Sequence, residues 1–162
     1  GGRVGVRGRG VATGSPAAAR RAGLVPVYQE PALIPDLDLR DNLRLGATPR
    51  EPFLHWVREL GLAELRLDEP VRWLPLATLR VLDLARALAA EPDLLLLDEM
   101  TAALPTDLVD RVLDVVRAQA AAGRAVLYIS HRFAEIAALC DRATVLRDGA
   151  TVGDLPIAPG VE

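Results

Sequence analysis

Four consecutive leucines, Leu94 to Leu97, follow Pro92-Asp93 and stop at Asp98-Glu99. No other stretch of the chain limits the possible folds so strongly. A run with no polar alternation suits a strand buried on both faces, as in the middle of a parallel sheet. In open α/β sheets the carboxyl ends of the strands line the crevice where ligands bind. Two carboxylates at that end suit a divalent cation and a polarised water. Taken alone, the hexapeptide allows equally that Asp98 only ends the strand and caps the next segment.

The flanking patterns extend the argument. Ala125–Ser130 is a second apolar run ending in polar groups, Ser130-His131. Between the two runs, Thr106–Ala121 places Leu108, Val109, Val112, Leu113 and Val116 on one helical stripe, with Gly123 as its stop. Two such strands joined by one helix are expected to lie side by side, with Asp98 and His131 at the same sheet edge. A helix over about Leu76–Ala90 precedes the leucine strand, with Leu79, Leu82, Ala85 and Leu88 or Ala89 inward. After it come a helix from about Phe133 to Leu139 and two apolar runs around Asp148-Gly149, a hairpin signal.

Nearer the N-terminus, Arg3–Val6 reads as a short strand and Gly8 to Pro16 as loop. Ser15-Pro16 opens a short helix stopped by Gly23. Leu24–Tyr28 reads as a strand, and Pro26 places it near an edge because proline lacks a ladder donor. Asp38 starts a helix through Leu45. Thr48-Pro49-Arg50-Glu51 has the pattern of a capping box with proline at the first helical position. The helix it opens carries Phe53, Leu54, Val57 and Leu60 on one stripe, and His55 reads as a solvated residue. The alternation of strands and helices predicts a layered α/β domain with a helical insertion at residues 38–72.

Composition excludes several classes. At 162 residues the chain is one domain's worth, with a core of Leu, Val and Ala. A net charge of −3 and the lack of a basic run argue against a nucleic-acid platform. The single cysteine, Cys140, excludes a disulfide framework and suits a reducing cytosol. No apolar run approaches the length of a membrane span.

The motifs taken together resemble the ATP-binding cassette (ABC) ATPases. Leu94–Glu99 followed by Met100-Thr101-Ala102-Ala103-Leu104 resembles their Walker B strand and D-loop. Val126–His131 resembles their switch-histidine strand, Val27-Tyr28-Gln29-Glu30 their Q-loop, and Ala143–Gly149 a later strand. Gln29-Glu30, Pro35-Asp36-Leu37 and Asn42–Gly46 follow the order of the N-terminal cassette of simple-sugar importers. The likeness runs in register from Gly2 to Gly153.

The resemblance implies a P-loop NTPase-like layered α/β fold. Its α/β core would comprise residues 1–37 and 91–162, and its helical subdomain with signature helix residues 38–90. It implies ATP and magnesium as cofactors. Asp98 would hold the magnesium shell, Glu99 polarise the attacking water and His131 contact the γ-phosphate. Gln29 would contact the metal and relay nucleotide state. It further implies transmembrane permease subunits and a second cassette as partners, at the cytoplasmic face of the membrane, in carbohydrate import.

The chain also departs from that pattern. All its basic residues are arginine, so no register supplies the P-loop lysine; Gly5 and Gly10 have the loop's spacing, but Val11 follows. The family places that loop before Gly2, so a cassette whose first part lies outside this chain is expected. Where the family has Leu-Ser-x-Gly-Gln, the chain reads Leu74-Pro75-Leu76-Ala77-Thr78. Pro75 has neither hydroxyl nor N–H, and Ala77 hinders close backbone approach to phosphate. The alternative to an importer ATPase is therefore a non-catalytic cassette remnant that acts as a docking module, or a gene fragment without ATPase activity.

Overall fold

In the computed structural model, residues 3–12, 14–62 and 65–157 are described. Gly2, where the likeness begins, lies outside them. The leucine run forms β4 (Leu94–Asp98), the middle strand of a three-stranded parallel sheet. Its neighbours are β3 (Leu24–Val27) and β5 (Ala125–Ile129). The register is Val25↔Leu95 and Val27↔Leu97 on one side, Leu95↔Val126 and Asp98↔Ile129 on the other. Pro26 sits in an edge strand, where its missing N–H breaks no ladder on the free side.

The expectation that both apolar strands are buried on two faces is not met. Val25, Val27, Leu95 and Leu97 are buried, and Val126 and Tyr128 of β5 pack against them. On the other face Leu94 and Leu96 are half-buried, while Leu127 and Ile129 keep 50% and 44% of their surface exposed. The alternation of β5 is thus that of a one-sided strand built from residues apolar on both sides.

The covered face rests on two helices. α4 (Leu76–Ala89) packs against β3 and, on its far side, against α3 (Arg50–Glu59). Buried between two layers, it hides Val81, Leu84, Asp83 and Arg80 as well as the inward set Leu82, Ala85 and Leu88. A simple amphipathic stripe underestimates such a helix. α5 (Thr106–Ala121) packs on β5 and buries Val109, Val112, Leu113 and Val116.

Local signals act as expected at most helix ends. α1 (Pro16–Arg21) begins at Ser15, whose hydroxyl accepts from Ala18 N–H at 3.2 Å. Gly23, just beyond it, has φ +83°; a Cβ there would lie 2.5 Å from Asp93 Oδ2. Its carbonyl accepts from Asp93 and Leu94, so the turn joins β3 to the start of β4. α2 (Leu39–Leu45) is capped by Asp38, which accepts from Asp41 N–H at 2.7 Å.

Two local expectations fail. α3 starts at Arg50 with Pro49 in the cap position and no side-chain cap bond. Thr48, the expected cap, instead donates its N–H to the Leu43 carbonyl at 2.9 Å, so the capping box does not form. The stretch read as loop after Gly8 contains β2 (Arg9–Val11), paired with β1 (Val4–Val6) across Arg7-Gly8. Both turn residues have positive φ, 51° and 73°, as tight hairpins require, and arginine there gives no sequence signal. The remaining elements among the described residues are a 3₁₀ turn at Val71–Trp73, α6 (Phe133–Leu139) and the hairpin β6 (Arg142–Arg147)–β7 (Ala150–Pro156), turned at Asp148-Gly149.

Candidate functional site at the strand ends

Because β3, β4 and β5 are parallel and in register, their carboxyl ends deliver the next residues of the chain to one edge. β4 ends at half-buried Asp98, opposite Ile129. Glu99 comes next, and its N–H donates to the Ile129 carbonyl at 3.0 Å, one bond past the end of the strand. Across that junction His131 Nδ1 lies 3.0 Å from Glu99 Oε1. An ionised carboxylate only accepts, so Nδ1 is the donor. The imidazole remains 69% exposed and Glu99 32%, so the pair faces solvent and can meet a ligand. Gln29 is exposed two residues beyond Val27, which pairs with Leu97.

The sheet therefore brings Asp98, Glu99 and His131 together and sets Gln29 at the end of the neighbouring strand. Asp98 and Gln29 offer a carboxylate and an amide oxygen, the hard donors magnesium takes one or two at a time while phosphate and water complete its shell. Among the described residues no group of three or more His, Cys, Asp or Glu forms a metal cage. A concavity of about 520 Å³ lies at the opposite end of the sheet, between Arg7, Asp93, Gly123 and Arg124, and contains none of these residues.

Glu99 has φ 45°, a left-handed conformation that a residue with a Cβ adopts only under constraint. The constraint comes from the turn residues after it and from Glu135, which no sequence pattern marks. Met100 and Thr101 directly after it are buried. The Thr101 hydroxyl donates to Glu135 Oε2 at 2.7 Å, and Tyr128 donates to the same oxygen at 2.5 Å. Burial first, and then this bond to a carboxylate, push the Tyr128 phenol well above its ordinary range. A second unmarked residue is Asp83 on α4. It is buried, paired with Arg86, and accepts from Ala32 N–H at 3.3 Å, tying the loop after Gln29 to the helix. A lone acid in each of two apolar helices is the only signal the sequence offers for either.

α4 starts at Pro75 with no side-chain cap bond and no acid in its first turn. Leu76 is 49% exposed there, in the stretch that carries neither the Ser nor the Gly of the resembled pattern. Among the described residues no helix is long and apolar enough to cross a membrane.

The chain is similar to known proteins in sequence and in fold. The chain is 39% identical to a ribose import ATP-binding protein of Streptomyces avermitilis over 96% of its length, and 36% identical to one of Rhodococcus jostii over 94%. It spans about a third of the length of these relatives, 33% in each case. Among solved structures it is similar to an ATP-binding cassette in a post-hydrolysis state bound to ADP and Pi, with a TM-score of 0.83 at 20% identity. That match covers 98% of this chain and 74% of the other. A nucleotide-free ATP-binding cassette matches with a TM-score of 0.81, again at 20% identity, over 98% of this chain and 70% of that one. The family profile described as ABC transporter matches residues 1–102, from the first hairpin through β4 and the turn after Glu99, and the chain belongs to that family.

Proposed function

We propose that this chain is part of an ATP-hydrolysing cassette that drives carbohydrate import. The observation that supports this most is the Glu99–His131 pair at the ends of adjacent parallel strands, 3.0 Å apart and open to solvent. Phosphoryl transfer needs little covalent help from a protein; it needs groups positioned around one phosphate. In this reading Glu99 orients and polarises the attacking water. His131 gives its Nδ1–H to Glu99, which sets the ring's aim, and turns Nε2 toward the γ-phosphate, to which it donates only when the imidazole is doubly protonated. Asp98, with the Gln29 amide oxygen, would hold magnesium, which when bound neutralises charge on the phosphates. Gln29 follows an edge strand, and its loop is tied to α4 through Asp83, so a change at the phosphate edge can reach the helical layer.

The same proposal divides the chain into an α/β core, 1–37 and 91–162, and a helical subdomain with signature helix, 38–90. It places the assembly at the cytoplasmic membrane face, with permease subunits and a second cassette as partners and ATP as the nucleotide. The ribose import function of the relatives points to a sugar as cargo.

A P-loop segment taken from one of the ribose import relatives and joined ahead of residue 1 makes the proposal testable. That fusion is expected to hydrolyse ATP, and Glu99→Gln in it to keep nucleotide binding while losing roughly 100-fold or more in turnover. Turnover unaffected by Glu99→Gln would refute the assignment. The start of α4 favours a second reading, a docking module without hydrolysis, because Pro75 removes a donor from that helix end and the Cβ of Ala77 hinders close approach of a phosphate. A fusion that binds ATP but never turns it over, with Glu99 intact, selects this second reading.

A further inference from the structure

Glu135 takes no part in the proposed hydrolysis, yet it is one of the few buried charged residues, with 5% exposure. It lies in the first turn of α6, past His131, and faces three hydroxyls. Thr101 Oγ1, Tyr128 Oη and Ser130 Oγ stand 2.7, 2.5 and 3.4 Å from its Oε2. Its other oxygen, Oε1, lies 2.6 Å from Arg132 Nη1, close enough for an ion pair but off the hydrogen-bonding direction. Ser130 Oγ in turn accepts from Arg132 N–H at 3.1 Å, which closes the turn on which His131 sits. One carboxylate thus gathers the residue two positions after Glu99, a side chain of β5 and the residue just before His131.

The arrangement has a clear mechanical content. Glu99 sits at φ 45°, a sparsely populated conformation that persists only where the surroundings hold it. On its C-terminal side the holding groups are Thr101, anchored to Glu135, and the Met100 carbonyl, which Arg80 Nη1 reaches at a long 3.4 Å. On the His131 side they are Ser130 and Arg132, both in contact with Glu135. We infer that Glu135 is a positioning residue that clamps the turn after Glu99 to the turn carrying His131 and thereby fixes the Glu99–His131 contact. This rests on the proposed hydrolytic site but adds a residue and a function to it. Ionised, Glu135 can accept all three hydroxyls at once, which no neutral side chain of its size does equally well.

The test reads the contact itself, without nucleotide or turnover. In the 162-residue chain with His55→Gln, His131 is the only imidazole, and long-range ¹H–¹⁵N correlations report its tautomer. At about pH 8.5, well above the ordinary imidazole range near 6.5, the parent is expected to show the Nδ1–H form. Glu135→Ala and Thr101→Val are expected to lose that signature. Glu135→Gln, which keeps an oxygen acceptor, is expected to retain most of it. Asn42→Ala, which destabilises a distant loop, should leave it unchanged. An Nδ1–H form that survives both Glu135→Ala and Thr101→Val overturns the inference, and so does its loss in Asn42→Ala. Should Glu135→Ala fail to fold, Thr101→Val decides alone. A parent chain without the Nδ1–H form refutes the Glu99–His131 pair itself, a separate failure from that of the clamp.

Discussion

Glu135, Thr101 and Tyr128 form a hydrogen-bonded polar cluster near the candidate site, and the phenol makes its state measurable. Burial and the bond to Glu135 raise the Tyr128 ionisation above the usual value of about 10. The folded chain then keeps a proton that the unfolded chain loses. Stability from this residue is fully present below about pH 10 and declines as pH rises from there until the folded phenol ionises. A spectrophotometric titration of a Tyr28→Phe chain should show its one remaining tyrosine ionising late, and Glu135→Gln should bring that ionisation back toward the ordinary range. An ordinary Tyr128 titration in the folded parent would contradict the buried bond. Cys140 shifts upward too, chiefly through burial, which leaves its thiol less reactive than a free one.

Among the elements, the segment between β3 and α2 leans most on Asn42, which makes more bonds to it than Asp83 does. Asn42 is buried, and its Oδ1 accepts from Ile34 N–H at 2.7 Å. Its Nδ2 donates to the carbonyls of Ile34 and Asp38 at 3.1 and 3.0 Å and, at 3.4 Å, to that of Leu37. Residues that resemble a sugar-importer motif in sequence thus have a local task, folding a loop without secondary structure over the start of a helix. Asn42→Ala strands these backbone groups and should cost about 2 kcal/mol, read as a lower denaturant midpoint. A loss below about 0.5 kcal/mol would mean that water replaces the amide without penalty. The same region shows how a turn can defeat a pattern. Thr48 fits the capping box, but Ala47 takes φ 48° and Thr48 is drawn back onto Leu43, leaving Pro49 to open α3.

For the whole molecule, the uneven covering of the sheet governs what the chain can bind. Asp98, Glu99, His131 and Gln29 contribute two carboxylates, one imidazole and one amide to the site proposed for a triphosphate, and the net charge is −3. The amide cradle and lysine that anchor phosphates in P-loop proteins do not occur in these 162 residues. ATP with magnesium is therefore expected to bind this chain weakly, at a Kd well above the micromolar range by calorimetry. Micromolar affinity would mean that the strand-end groups alone hold the nucleotide. Beside the site, Leu127 and Ile129 leave one face of β5 apolar and exposed, whereas parallel sheets are ordinarily covered on both faces.

Strand and helix identity outside β2, the helix stops at Gly23 and Gly123, and the alignment of Asp98 with His131 were legible in the residues themselves. Each depends on local chemistry or on a period of two or 3.6. A run of four leucines before two acids permits little else, and parallel pairing places the ends of such strands together. Burial was not legible to the same degree. Leu94–Leu97 and Ala125–Ile129 are both continuously apolar, yet only one face of each is deeply covered, because covering depends on what packs above the sheet. Nor did any pattern mark Glu135, which lies 34 residues from Thr101 and belongs to another element. A carboxylate that collects three hydroxyls from two other segments is assembled only when β4, β5 and α6 come together. The chain's own order determines where the acids and the histidine emerge; tertiary packing decides how firmly they are held.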